Sequence, residues 1–453
     1  MAVKIIKRNT ATAKGTSSQI LSAISVVGYK SLENKQRIEI SPLTILAGAN
    51  SGGKSSIMQP ILLLKQTLDA PYDPGSLLLD GPNVRLTSTD QLLSKKSDGS
   101  TSKEFEIGFE IGTKEIGLCF RKFPKKGLEI FSNSVSEGKS KTIITKNATT
   151  DELKEIVRLS GLKDIIPNSL FKDAESEIVR DRAFLSVELV VEKNRFRIPV
   201  VQPGAKLSNM IASIIHVPGL RGNPERNYKT TAVGDSFPGT FENYVASVIN
   251  HWQVTKDPRL SQLGTNLENL GLTWKVKAEQ RDETQVELKV GRLQHSARGG
   301  ANDLVSIADV GFGVSQTLPV LVALLAAKPG QIVYIEQPEI HLHPLAQRAL
   351  ARILADAAMK GVIVIVETHS ALLLKGIQTL VAKDELKPEL VKLHWFQRDT
   401  SGATTVTSAD LDNVGAFGDW PEDFDDVELT AENEYLSAAE AKLYKKHSKG
   451  HAA

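Results

Sequence analysis

The chain has 453 residues, a formal net charge of +2, 41% hydrophobic and 24% charged residues. That length and composition suit about two to three folded domains, and the near-neutral balance gives no global case for a protein that coats nucleic acid. A single cysteine, Cys119, excludes an internal disulfide and a cysteine-built zinc cage, and fits a reducing, cytoplasmic compartment. No basic stretch followed by an apolar core opens the chain as a signal peptide would. The apolar run LPVLVALLAA, Leu318 to Ala327, falls short of the about 20 residues that span a bilayer, which excludes a membrane-embedded transporter.

In chain order, residues 1–19 carry Lys4, Lys7, Arg8 and Lys14 without an acid and are expected to be a flexible basic tail. ILSAISVVGY and RIEISPLTILA follow as strands, and the second runs into GANSGGKSS. The next segment predicts a helix with Ile57, Ile61, Leu64 and Leu68 on one face, bent early by Pro60. KEFEIGFEIGTKEIGLCFRKF alternates polar and apolar residues and predicts antiparallel strands turning near Gly112. Beyond it, DELKEIVRLSGL and NMIASIIH have helical spacing, while AFLSVELVVEK, RFRIPVV and QVELKVG predict strands. The loop Pro218 to Gly239 holds Arg221, Arg226 and Lys229, readable as a phosphate-contacting surface or as solvated charge.

The grammar then changes. DVGFGVSQ opens an apolar helix, and the strand QIVYIE leads through QPEIHLHP into LAQRALARILADAA. A last buried strand, GVIVIVE, ends at THS and another helix. Short all-apolar strands alternating with helices predict a parallel sheet covered on both faces. The end of the chain is expected to be a small β-rich extension with an acidic segment, Asp419 to Glu434.

GANSGGKS, Gly48 to Ser55, matches the phosphate-loop pattern in its strand–loop–helix context. Gly48, Asn50, Ser51, Gly52 and Gly53 form the turn whose backbone N–H groups can face phosphate oxygens. Lys54 brings charge to the β/γ-phosphates, Ser55 offers a hydroxyl to Mg²⁺, and Ser56 continues into a helix whose positive end points at the same place. Glu336, at the carboxyl end of a buried strand, is placed to hold the magnesium ion through water. The 282-residue separation of Lys54 and Glu336 calls for a large insertion between them.

With GYKSLENKQRIEISPLTILAGANSGGKSS, DVGFGVSQTLPVL, IEQPEIHLHP and VETHS in this order, the chain resembles the ABC-type P-loop ATPases, in the branch of SMC, RecF and OLD-like proteins and of AAA ATPases from bacterial defence operons. The resemblance covers about the first 70 residues and about 300–375. It implies an α/β fold: an ABC-type nucleotide-binding domain, with a parallel core and an antiparallel β subdomain, carrying a large mixed α+β insertion. The corresponding division is 20–95 with 296–400 as the ATPase core, 96–295 as β subdomain and insertion, and 401–453 as the C-terminal extension. ATP and Mg²⁺ are the implied cofactors, and a head-to-tail dimer or higher oligomer around ATP the implied assembly. In it, Gly311, Gly313 and Ser315 would sit before a helix and meet the partner copy's γ-phosphate. Lys30 would lie near the adenine or ribose, and His369 would bond the γ-phosphate or the attacking water.

Where the ABC pattern has Asp then Glu before the proline, this chain has Glu336 then Gln337. Three readings stay open. Glu339 serves as base; or Gln337 orients the water, giving slow turnover; or the site binds ATP mainly to close a dimer. His341 and His343 fit the partner-contacting segment of the family better than a transition-metal site. With 84 residues after His369, a fused nuclease domain is not expected, in spite of the Asp410–Asp412 pair. The functional expectation is a nucleotide-switched regulator of a separate effector such as a nuclease, in anti-phage defence. DNA is a further candidate partner, and no membrane is involved. The alternatives are a RecF-like DNA clamp and an ATP-binding scaffold with little turnover.

Overall fold

The structure is a computed structural model that describes residues 20–96, 98–138, 140–160, 174–191, 196–293, 303–418 and 436–437. The basic tail at 1–19 and the acidic segment Asp419 to Glu434 lie outside them. The described residues form two compact units: those within 1–40, 56–212 and 401–403 make one, and those within 41–55, 213–400 and 404–453 the other. No described helix is long and apolar enough to cross a membrane.

The first unit contains a six-stranded antiparallel sheet in the order Gln36–Glu39, Leu21–Val27, Glu104–Ile111, Lys114–Phe123, Gly127–Glu137, Ser140–Thr145. The alternation in KEFEIGFEI puts Phe105, Ile107 and Phe109 in the core. The turn comes at Gly112, whose φ of 59° suits glycine. A three-stranded sheet, Glu175–Asp181, Phe184–Val191 and Phe196–Val201, completes the described strands of this unit. Asn133 is fully buried, and its Nδ2 donates to the Leu185 carbonyl at 3.1 Å, which ties the two sheets together, while Oδ1 has no partner among the described residues.

In the second unit, five parallel strands and one antiparallel strand run in the order Ile215–Val217, Ile332–Glu336, Ile363–Glu367, Leu43–Gly48, Val391–Arg398, Thr404–Asp410. Leu43–Gly48 and Ile363–Glu367 are buried at every residue, as strands covered on both faces must be. A smaller sheet of Tyr228–Lys229, Gln285–Gly291, Val276–Gln280 and Leu304–Ser306 packs with the helices Val245–Thr255 and Arg259–Asn269. The fold class is therefore α/β with a parallel core and separate antiparallel sheets.

Two local expectations change. RIEISPLTILA is not one strand: pairing stops at Glu39 and resumes at Leu43, because Pro42 has no N–H to donate, and the two pieces enter different sheets. In NMIASIIH only the front is helical. The helix Gly204–Ala212 ends and Ile215–Val217 becomes an edge strand of the parallel core. Pro60 lies inside the unbroken helix Lys54–Asp69.

The phosphate-loop turn presses against the end of the Val391–Arg398 strand. A Cβ on Gly48, whose φ is 139°, would stand 2.1 Å from the Phe396 carbonyl oxygen, and one on Gly52 would stand 2.7 Å from it. Thr404 Oγ1 donates to the Gly52 carbonyl at 2.8 Å. Gly48→Ala should therefore cost on the order of 3 kcal/mol of stability through overlap and a forced backbone, and denaturant titration would read it as a lower midpoint. An unshifted midpoint would show that the turn is not packed this tightly.

Candidate functional site

The parallel strands of the second unit end on one side, and three of them deliver polar groups to one place. Leu43–Gly48 supplies the turn: Ser51 (φ 61°) and Gly53 (φ 104°) take left-handed backbone, which curls the loop over the start of the Lys54–Asp69 helix. Lys54 is 5% exposed, and its Nζ donates to the carbonyls of Gly48 and Ala49 at 3.0 and 2.9 Å. Burial lowers its ammonium pKa, against the pull of Glu367 and Glu339. Asn50 and Ser51 are exposed, Gly52 and Ser56 are buried, and Ser55 is half-buried.

Glu336 and Glu367 are register partners on neighbouring strands, so their carboxyls emerge side by side. Ser55 Oγ donates to Glu367 Oε2 at 2.9 Å, and the buried Tyr334 hydroxyl donates to the other carboxyl oxygen. Glu367 is 2% exposed; burial first, then the nearby Glu336, pushes its carboxyl up to about 7. Glu336 is held differently: Oε1 meets His216 Nε2 at 3.1 Å, and Oε2 accepts from the Gly219 amide at 3.0 Å. Burial would raise its carboxyl, but the His216 contact, the Gly219 amide and Arg221 outweigh it and keep the group below its ordinary value.

After Glu336, Gln337 turns left-handed (φ 43°) and its amide donates to the Glu367 carbonyl at 2.9 Å, which fixes the exit of the chain. Glu339 then folds back. It is 8% exposed, Oε1 accepts from the His369 amide at 2.7 Å, and Oε2 is buried without a hydrogen-bond partner among the described residues. Burial raises its carboxyl. His369 is held below its ordinary pKa by burial and by Lys54, partly opposed by a hydrogen bond with the Gly48 backbone. Ser370 caps the helix Ala371–Ala382, accepting from the Leu373 amide at 3.0 Å.

Lys54, Ser55, Glu336, Gln337, Glu339 and His369 thus share one site. Three residues missed in the sequence, Glu367, His216 and Gly219, complete it. Lys30 belongs to the first unit, where its Nζ donates to Gln59 at 2.5 Å. Gly311 alone precedes the helix Phe312–Ala326 as its N-cap; Gly313 and Ser315 lie inside its first turn, and Ser315 Oγ donates to the Phe312 carbonyl at 3.1 Å. His341 stacks obliquely on Phe312 at 5.8 Å, and His343 Nδ1 caps the helix Pro344–Met359. Among the described residues no group of three or more His, Cys, Asp or Glu is placed to hold a metal ion. Arg221 is not a surface phosphate contact: it is 8% exposed and bonded inward. Arg226 forms an exposed two-bond pair with Asp309.

The chain matches, over residues 43–375, the family described as "AAA domain, putative AbiEii toxin, Type IV TA system". The chain belongs to this AAA-domain family. The matched span runs from the phosphate-loop strand to the helix after His369, and the family and fold are those of P-loop ATPases. No curated protein matches the chain. Among solved structures it is similar to an SMC head bound to the C-terminal winged-helix domain of ScpA (12% identity, 87% of this chain and 98% of that chain, TM-score 0.46). An SMC head from Thermotoga maritima overlaps at 12% identity, 86% and 98% coverage and a TM-score of 0.37. An SMC head with an extended coiled coil, bound to the C-terminal domain of ScpA derived from Pyrococcus furiosus, gives 12%, 86%, 96% and 0.42.

The donor set fits magnesium in kind. A serine hydroxyl at a phosphate loop and two carboxylates at adjacent strand ends are hard oxygen donors, and among the described residues no sulfur or closed nitrogen cage competes. Ser55, Glu367 and Glu336 are the residues that would hold the ion, directly or through water.

Proposed function

We propose that this AAA-domain ATPase grips ATP at the Gly48–Ser56 loop, closes as a head-to-tail dimer and hydrolyses the γ-phosphate slowly. The contact of Ser55 with Glu367 supports this reading best, because it joins the phosphate loop to the strand-end carboxylates over 312 positions of sequence. Bound magnesium would neutralise charge on the β- and γ-phosphate oxygens.

In hydrolysis, Glu339 Oε2 takes a proton from water as the water oxygen bonds the γ-phosphorus, and the bond to the β-bridging oxygen breaks, leaving ADP and phosphate. Glu339 suits this role: burial raises its carboxyl, opposed in part by the His369 amide and the Thr368 hydroxyl, and Oε2 makes no hydrogen bond of good geometry among the described residues. Gln337, an amide, orients the water without taking the proton. The His369 ring lies near Lys54 and Gly48, where it would bond the γ-phosphate.

The partner's phosphates would meet the exposed helix start at Gly311, Gly313 and Ser315, where free backbone N–H groups and the helix dipole favour an anion. The exposed Phe312 and Leu345 would be covered in the same contact. ATP binding and hydrolysis would then switch this interface and, through it, a separate effector protein.

The test is sedimentation with and without ATP and magnesium, using Glu339→Gln to slow turnover. Wild-type-sized dimers should appear only with nucleotide. Ser315→Arg should abolish them, while each monomer's nucleotide affinity stays within about threefold. A Ser315→Arg protein that dimerises normally with ATP would overturn the head-to-tail arrangement.

A further inference from the structure

We infer that Arg221 is a positioning residue that locks the helix Phe312–Ala326 to the Glu336–Gln337 turn, so that the two nucleotide sites of a dimer act together. The inference deepens the dimer reading above and rests on it.

The segment that carries Arg221 follows the edge strand Ile215–Val217, and two of its neighbours already clasp the Glu336 carboxylate: His216 from the strand and the Gly219 amide from the turn. Arg221 then spreads its planar fork between two elements. Nη1 donates to the Gln316 carbonyl at 3.0 Å, and Nη2 donates to the Glu336 carbonyl at 2.8 Å. Nη2 also points at the Gln337 carbonyl, at 3.5 Å. Gln316, 4% exposed, answers with its side-chain amide, donating to the carbonyls of Arg221 and Gly222 at 3.3 and 3.1 Å. The link is reciprocal and lies wholly inside the second unit.

This arrangement is expensive as mere packing. The guanidinium is buried against backbone carbonyls, Nε has no partner among the described residues, and Glu242, Glu339 and Glu336 act on it through space. A buried cation held this way stabilises less than an apolar residue of the same volume would. What the fork adds is direction: its donors are fixed in one plane, so the two elements it joins keep one relative position. Gln316 lies in the second turn of a helix whose first turn would face the partner's ATP. Glu336 and Gln337 serve the chain's own ATP. A shift of the helix on meeting the partner's γ-phosphate is therefore passed to the turn that orients water in the other site, which is coupling between the sites.

The test compares wild type with Arg221→Lys, which keeps the charge and loses the fork. It adds Gln316→Met, which removes the return bonds and leaves the arginine in place. Binding of a fluorescent ATP analogue, ATP-dependent sedimentation and the ATP dependence of steady-state hydrolysis are measured on each. Wild type should hydrolyse cooperatively, with a Hill coefficient above about 1.5 of a possible 2, and both variants should fall to about 1 while still binding analogue and dimerising. If wild type does not dimerise with ATP, the dimer reading itself fails. If wild type dimerises but is non-cooperative, or if either folded variant keeps the wild-type coefficient, the Arg221 link is overturned and the dimer reading stands.

Discussion

Lys54→Ala should weaken ATP binding by roughly a hundredfold to ten-thousandfold. The ammonium is nearly buried at the mouth of the turn, and its only hydrogen bonds among the described residues go to the carbonyls of Gly48 and Ala49. Those partners belong to the loop that would wrap the triphosphate, so the side chain is aimed where the phosphates would lie. Two charge-assisted bonds to phosphate at about 1.5–3 kcal/mol each amount to about 3–6 kcal/mol, and each 1.4 kcal/mol is tenfold in affinity. Titration of a fluorescent ATP analogue checks this, with unfolding in the absence of nucleotide as the control for the fold. A folded Lys54→Ala protein with wild-type affinity would remove the loop from the nucleotide site, and the reading above with it.

Glu339→Gln should lower turnover by about 10²–10⁴-fold while ATP affinity and nucleotide-dependent dimers persist. The substitution separates two roles that the geometry combines. A glutamine oxygen still accepts from the His369 amide, as Glu339 Oε1 does at 2.7 Å, so the turn that carries His369 keeps its place. What is lost is basicity at Oε2, a buried oxygen with no hydrogen bond of good geometry among the described residues. Single-turnover hydrolysis measures the chemical step directly. Wild-type turnover in Glu339→Gln would show that Glu339 only positions His369, and the reading in which Gln337 orients water without a side-chain base would take its place.

The motifs were legible where the chemistry is local in sequence. The phosphate loop follows its strand at once, Glu336 ends a run of four buried apolar residues, and His369 follows another buried strand. The fold class was legible for the same reason, since all-apolar strands between amphipathic helices require cover on both faces. The missing parts are those whose partners are far along the chain. His216 and Arg221 meet residues more than ninety positions away; the strand that presents His216, Ile215–Val217, is three residues long and continuous with a helical apolar pattern, and Arg221 lies in the irregular segment after it. Glu367 was hidden differently. In VETHS the histidine drew the chemistry, whereas a glutamate closing a wholly buried strand is costly unless it has work or partners, and that cost was the available signal. Arg221 shows the converse: charge in a turn-rich loop suggested a surface, and the arginine proved to be inside.

The contact between the Gly48–Gly52 turn and the Phe396–Thr404 region bears on how the protein matures. The strand Leu43–Gly48 is made early, yet its neighbours in the sheet are Ile363–Glu367 and Val391–Arg398, which are synthesised more than 300 residues later. Such distant pairings are slow to form. A nascent chain therefore carries its glycine turn for most of translation without the backing that shapes it. Under the proposed reading the turn would hold a nucleotide only once the closing hairpin has docked, so an arrested or clipped product lacking that hairpin should bind no ATP, by its own topology.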